Sequence, residues 1–226
     1  MIDLYFVTPA YRRYDVSEIC FAEFAWVFDK LRDWGINAQA VVVSDDQNLD
    51  LAQSFGLDTI EQNNEWLGRK FNDGIEFALQ QDADFVVPIG SDSWIDPKYF
   101  STLPNDDQIQ SSNFFTAFDA DGLRRVDQYV ERHGLNSGIG PFVIPRSLLK
   151  ECGGRPAQDN LHRGIDYSTI KGIEKSNQVY WYMKNIRTAQ YINFKSAEDQ
   201  LTPFERLNNR YLKKIVITNP FDDLIE

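Results

Sequence analysis

The chain has 226 residues, 42% of them hydrophobic, which is enough apolar material for the core of one large domain. A formal net charge of −11 argues against an unaided electrostatic grip on nucleic acid or on an anionic membrane. It leaves room for a local basic cleft built from Arg12, Arg13, Arg69 and Lys70. Two cysteines, Cys20 and Cys152, are too few for a disulfide framework and lack metal-ligand spacing, so they read as thiols of a reducing compartment. No window approaches the roughly 18 apolar residues of a membrane span, and the opening residues do not read as a secretory signal. The expectation is a soluble, cytoplasmic protein.

In chain order, "IDLYFVT" (2–8) reads as a strand bounded by Pro9. Asp15 with Glu18 three residues on predicts a capping box, and Cys20, Phe24, Val27, Leu31 and Trp34 recur at helical spacing up to Gly35. "AQAVVVS" (38–44) predicts a buried strand ending at Asp45 and Asp46. A short helix over 49–55 and a strand over 59–61 follow. Asn64 is placed to cap a helix whose apolar face is Leu67, Phe71, Ile75, Ala78 and Leu79, and 84–89 is the next strand. Alternating elements with unbroken apolar strands predict α/β architecture, a mostly parallel central sheet covered on both faces. Beyond it the pattern predicts strands over 114–118 and 140–144, a helix over 145–151 and a loop over 153–164. A helix capped near Asp166 and strands in "VYWYM" and "YINF" complete the reading. The organisation expected is a single domain over 1–226, with 1–97 as a nucleotide-type half and 98–226 as the half that completes a site.

Three predicted strands end in polar groups: Thr8 with Tyr11 and Arg12, Asp45 with Asp46, and Ser91 with Asp92. In an open parallel sheet ligands bind outside those carboxyl ends. The position after the first strand reads "TPAYRR", so the glycine fingerprint of a dinucleotide fold is missing, and no Walker A loop occurs. Phosphates held here need another neutralising group, and a divalent cation on hard oxygen ligands such as Asp92 is the common solution. Each residue also has a plainer reading. Asp92 suits a turn or a helix cap, Asp45 and Asp46 suit an ordinary loop, and Lys70 suits a solvated helix face.

The pieces "FVTPAYRR", "VVVSDD", "NEWLGRKFNDGIEFAL" and "ADFVVPIGSDSWIDP" cover about residues 2 to 97. Together they resemble the metal-dependent glycosyltransferases of the A-type fold, in particular the large family 2 group. The resemblance implies a Rossmann-like nucleotide-diphospho-sugar transferase domain that moves a hexosyl or pentosyl group from a UDP- or GDP-sugar to a hydroxyl acceptor. It implies Thr8, Pro9, Tyr11 and Arg12 around base and ribose, and Asp45 or Asp46 on the base. Lys70, Asn72 and Ser91 would lie near ribose and phosphates, with Asp92 on Mn2+ or Mg2+. Ser93 departs from the pattern, standing where related motifs often carry a second aspartate.

The same resemblance implies a late carboxylate base at the start of a helix, which fits Asp166, with Asp159 the weaker alternative. His162 or His133 would complete the metal site or touch a phosphate, and Arg163 would steady the diphosphate. Small stand-alone transferases of this look are encoded by phages and decorate proteins or modified DNA bases. That would put the protein in a host cytoplasm and admits a DNA acceptor beside glycan or protein, against the net charge. Two other readings stay open. A nucleotidyltransferase would carry a glycine-rich loop after the first strand, and a non-catalytic binding protein would account for Ser93.

Overall fold

The computed structural model describes residues 1–112, 114–119, 124–129, 139–162, 165–184, 191–195 and 213–217. Its main sheet is built on β1 (Ile2–Pro9), β2 (Ile36–Ser44), β3 (Asp58–Glu61) and β4 (Phe85–Pro88), joined by β6 (Gln108–Ser112), β9 (Ile139–Pro145) and β10 (Tyr180–Lys184). The order is β10-β6-β9-β4-β1-β2-β3. β1, β2, β3 and β4 are mutually parallel, β6 and β10 are parallel, and β9 runs against both of its neighbours. The expected mostly parallel α/β sheet is therefore present.

Helices explain the unbroken apolar strands. Leu4 and Phe6 of β1 join one core with Cys20, Phe21, Phe24, Val27 and Leu31 of α1 (Tyr14–Arg32). Tyr5 and Val7 join a second core with Phe71, Ile75 and Ala78 of α3 (Leu67–Gln80). Successive side chains of a strand face opposite ways, so both faces of β1 are sealed. At roughly 2 kcal/mol per buried large apolar side chain, these faces are the main favourable contribution to the fold. α2 (Asn48–Ser54) packs beside β3, while α4 (Arg146–Glu151) and α5 (Ile165–Ser176) belong to the second half. A smaller sheet has the order β12-β8-β7-β11-β5, from β5 (Ser93–Ile95), β7 (Phe114–Asp119), β8 (Arg124–Tyr129), β11 (Tyr191–Lys195) and β12 (Lys213–Ile217).

Two of the three expected helix caps are corrected. The N-cap of α1 is Arg13, in left-handed conformation and without a side-chain cap, and Asp15 merely sits in the first turn. The N-cap of α3 is Trp66, not Asn64. The α3 amides of Gly68 and Arg69 are instead satisfied by the carbonyls of Leu161 (2.9 Å) and Asp159 (3.1 Å). A tertiary loop has taken over the work of a cap. Trp34 lies past the end of α1 and is 48% exposed, so it is not part of the apolar face. Strands β5, β6, β8 and β12 were not expected. β5 is three residues long, and β6, "QIQSS", carries one large apolar side chain.

Candidate functional site

Register sets the site. Pro9 pairs with Val43 and Val7 with Pro88, so β1, β2 and β4 finish together at one edge. Ala10 N donates to Val43 O and Ile89 N to Val7 O, both at 3.0 Å, which extends the ladder just past the strands. A helix that follows a parallel strand starts at that strand's carboxyl end, so α1 and α3 also begin here.

After β1 the chain makes a tight clasp. Thr8 and Pro9 are buried, and Thr8 Oγ1 has no hydrogen-bond partner among the described residues. Tyr11 is 37% exposed, with the Arg12 guanidinium 4.9 Å from its ring centre. Arg12 (φ 51°) and Arg13 (φ 50°) are both left-handed, a conformation that costs a residue with a Cβ about 1–2 kcal/mol. Such strain persists where neighbours over-determine it. Here Arg12 N donates to Asp46 Oδ2 (2.8 Å), and Arg12 O accepts from Asn48 Nδ2 (3.2 Å).

The two carboxylates after β2 have separate work. Asp46 Oδ1 accepts from Ser44 Oγ (2.7 Å), Asn48 N (3.0 Å) and Asn48 Nδ2 (2.8 Å). Burial alone raises its pKa, but the bonds from Arg12, Ser44 and Asn48 outweigh that and hold it below the ordinary value. Asp45 is exposed. Its Oδ2 accepts from Asn64 N (2.8 Å), and its Oδ1 is uncommitted among the described residues.

Lys70 is not on a solvated face. It is 1% exposed, and its Nζ donates to Ala10 O at 3.1 Å and lies 5.8 Å from the Tyr11 ring centre. Ala10 O already accepts from Ser44 Oγ at 3.0 Å, so the ammonium shares that acceptor and meets no carboxylate at ion-pair distance among the described residues. Burial lowers its pKa, and Asp45 and Asp46 act in the opposite direction. An ammonium has three donors. A buried one with a single shared acceptor is an under-used cation at the strand edge.

"GSDSW" links β4 to β5 and is almost wholly interior: Ser91 is 3%, Asp92 8% and Ser93 1% exposed. Asp92 Oδ1 accepts from Ser93 Oγ (3.3 Å), and Asp92 Oδ2 pairs with Arg13 Nη1 (3.1 Å). A Cβ on Gly90 would stand 2.6 Å from Asp92 Oδ1, so glycine is what lets the carboxylate fold back here. Cys20 Sγ donates to Ser93 O (3.1 Å), and burial, above all, pushes the thiol up to about 12. Trp94 Nε1 donates to Glu23 Oε2 (2.8 Å), and its ring stacks on Trp26. The motif is thus anchored on α1 from both ends.

These groups fit a hard divalent cation in part. Asp92 and the Ser93 hydroxyl are oxygen ligands of the right kind, and such ions commonly take the rest of their shell from water and substrate phosphate. Among the described residues no three His, Cys, Asp or Glu side chains converge to hold a metal. A cation at Asp92 would therefore depend on a ligand's own oxygens.

The second half is tied to α3 by the loop 155–162. Asn72 is fully buried, and its amide donates to Ala157 O (2.8 Å) and Asp159 Oδ1 (2.7 Å) while its Oδ1 accepts from Ala157 N (3.1 Å). Asn72 braces the loop with the groups expected to face ribose. A Cβ on Gly68 would run into the Gln158 carbonyl, and Gln158 N donates to Ser168 Oγ of α5 (2.8 Å). Arg155 pairs with Asp73, Glu76 and Asp159. Burial raises the Asp159 pKa, yet Asn72 and Arg155 together hold it below its usual value, which makes a poor base. Asp166 is exposed in the first turn of α5. His162 is exposed and leans on Trp66, ring centres 4.5 Å apart. Arg163 and His133 lie outside the described residues. Sequence reasoning passed over Arg13 as the partner of Asp92, although the paired arginines directly after β1 were the available signal.

No protein-family model matches the chain, and no curated protein sequence does. Solved structures do. S. aureus TarS residues 1–349, in complex with UDP, superposes with a TM-score of 0.56 at 15% identity over 85% of this chain. A Drosophila beta-1,4-galactosyltransferase 7 variant, solved with manganese, UDP-Gal and xylobiose, gives 0.51 at 14% over 84%. The fold is that of the A-type nucleotide-sugar glycosyltransferases. The chain spans 60% of the TarS fragment, 37% of a longer TarS structure and 68% of the galactosyltransferase. No helix among the described residues is long and apolar enough to cross a membrane.

Proposed function

We propose that this chain is a glycosyltransferase that moves a sugar from a nucleotide-diphospho-sugar, a UDP- or GDP-sugar, to a hydroxyl acceptor. The observation that carries this is the convergence at one sheet edge of the clasp after β1, the free oxygen of Asp45, the under-used ammonium of Lys70, and the Asp92 carboxylate. Asp45 suits the base, because a carboxylate accepts from a nucleobase N–H. Thr8, Pro9, Tyr11 and Arg12 form the wall for base and ribose. Lys70, with Ser91, faces ribose and phosphate, while Asn72 acts one step back by fixing the loop 155–162. Asp92 with Ser93 would hold Mn2+ or Mg2+, which when bound supplies positive charge for the leaving diphosphate. The manganese in the galactosyltransferase complex supports that choice.

In an inverting transfer Asp166 takes the acceptor hydroxyl proton as the oxygen attacks the anomeric carbon. The brace from α3 through Gln158 to Ser168 supports it by tying α5 to the helix that begins at the donor edge. His162, leaning on Trp66 near the start of α3, would touch a phosphate or help complete the metal site, and its exposure supports contact with a ligand. Glycan, protein and modified DNA base all remain acceptors compatible with a hydroxyl nucleophile. Calorimetric titration of UDP, GDP, CDP and ADP, with and without Mn2+, tests the proposal. Selective, Mn2+-dependent binding of one nucleotide, lost in Asp92→Ala, is expected. Absence of binding by all four nucleotides would sink it.

A further inference from the structure

Arg13 has no part in the reading above, yet it is the most deliberately placed side chain at the strand edge. Its backbone is held left-handed, next to a second left-handed arginine, at the N-cap of a 19-residue helix. Its carbonyl accepts from Ser17 N at 2.9 Å, which locks the start of α1 beneath it. The clasp before it is pinned at Ala10 O by Lys70 and Ser44, and at Arg12 by Asp46 and Asn48. This scaffold delivers the guanidinium to Asp92 Oδ2 at 3.1 Å, with the two side chains 21% and 12% exposed.

That contact conflicts with a cation on the same carboxylate. Asp92 carries one negative charge, and Arg13 already neutralises it. A divalent ion added beside the guanidinium would leave a large uncompensated positive charge at a poorly hydrated edge, where charges interact strongly. A nucleoside diphosphate removes the conflict, because it brings negative charge for both cations at once. Arginine also matches phosphate oxygens in a two-pronged geometry that lysine lacks.

Resting on the reading of Asp92 as the cation ligand, we propose that Arg13 is a movable counter-charge and a diphosphate-binding residue. It occupies Asp92 while the donor site is empty, and turns to the diphosphate when donor and cation enter together. The exchange makes cation and nucleotide bind as a unit. The two-pronged contacts that the guanidinium gains on the diphosphate offset the ion pair it leaves.

The test counts bound Mn2+ by the loss of the free-ion electron paramagnetic resonance signal, for wild type, Arg13→Gln, Arg13→Lys and Asp92→Asn. Each is titrated with and without saturating UDP, and separately GDP, and each is checked for folding by circular dichroism. Wild type is expected to bind Mn2+ weakly alone and far more tightly with the nucleotide it prefers. Arg13→Gln should bind Mn2+ alone about fivefold more tightly than wild type, the worth of roughly 1 kcal/mol of released competition. It should also lose most of the nucleotide-driven gain and bind the nucleotide itself more weakly. Arg13→Lys, which keeps the charge, should stay near wild type for Mn2+ alone, a result that a merely structural role for Arg13 does not give.

Equal or weaker Mn2+ binding by Arg13→Gln in the absence of nucleotide overturns the proposal. So does a wild type that binds nucleotide but never Mn2+. A wild type that binds none of UDP, GDP, CDP and ADP removes the transferase reading instead, while tighter Mn2+ binding by Arg13→Gln in that same protein would still uphold the competition at Asp92.

Discussion

Asp46 and Asp92 stand at the same sheet edge, at the ends of β2 and β4, and are used in opposite ways. Asp46 is surrounded by donors that cannot leave: two backbone amides, a neighbouring hydroxyl and the amide of Asn48. Asp92 has a neighbouring hydroxyl on one oxygen and, on the other, an arginine at the end of a long side chain. Fixed donors turn a carboxylate into scaffold. A mobile cation leaves it available, at the cost of a buried charge whose neutralisation depends on what else is in the site. Burial alone does not separate the two, since Asp92, the carboxylate paired with a long movable side chain, is the more buried one. What separates them is who holds their oxygens.

The largest effect tests whether that distinction extends to the second half. Asp166, exposed at the start of α5, is the carboxylate proposed as the base of that half. Asp166→Asn is expected to lower kcat by about 10²–10⁴-fold, the usual worth of a general base, with nucleotide binding and thermal unfolding unchanged. A variant that unfolds earlier with its turnover intact would make Asp166 another scaffold carboxylate. Lys70 sharpens the comparison from the cationic side. Its acceptor, Ala10 O, keeps the Ser44 hydroxyl when Lys70 is gone, so Lys70→Met removes a buried charge without orphaning the carbonyl. Nucleotide affinity should fall about tenfold or more, the value of a hydrogen bond to a charged group. Stability should hold or rise, because replacing a desolvated charge with an apolar chain of similar length is often neutral or favourable. Calorimetry and thermal melts read the two separately, and a destabilised variant with normal affinity would assign Lys70 to the clasp.

The sequence exposed these features unevenly, for physical reasons. Strands β1, β2 and β4 were legible because a strand sealed on both faces must be apolar throughout, and α1 and α3 because a half-buried helix repeats its apolar residues. The edge of the candidate site followed from that order alone. The caps were not legible: Asp15 with Glu18 and Asn64 satisfy local rules, but α1 starts on a strained arginine and α3 is capped by carbonyls about ninety residues away. Asn72 shows the limit most plainly. Its type and position suit a ligand, yet its amide is spent on Ala157 and Asp159, a commitment that only the folded loop creates. Arg13 is the converse case, a surface-type residue whose target stands 79 positions further along the chain.

Asp46 supplies the smallest effect and the cleanest way to break the comparison. Asp46→Ala removes four hydrogen bonds and leaves the Arg12 and Asn48 amides without their acceptor, at a cost of about 2 kcal/mol. For a chain of this length that lowers Tm by about 4–8 °C. Nucleotide binding should weaken only as far as the clasp loosens, whereas Asp92→Ala should lose it outright. The pH dependence has a definite sign. The folded-state pKa of Asp46 is depressed, so its contribution is complete above the ordinary carboxylate value and is lost as pH falls through the lower folded value. Comparing wild type with Asp46→Asn across an acid series should therefore show a constant stability gap near neutrality that closes below about pH 4. A gap that persists unchanged in acid would mean the bonds do not depend on the charge of Asp46, and the distinction from Asp92 would have to rest on mobility alone.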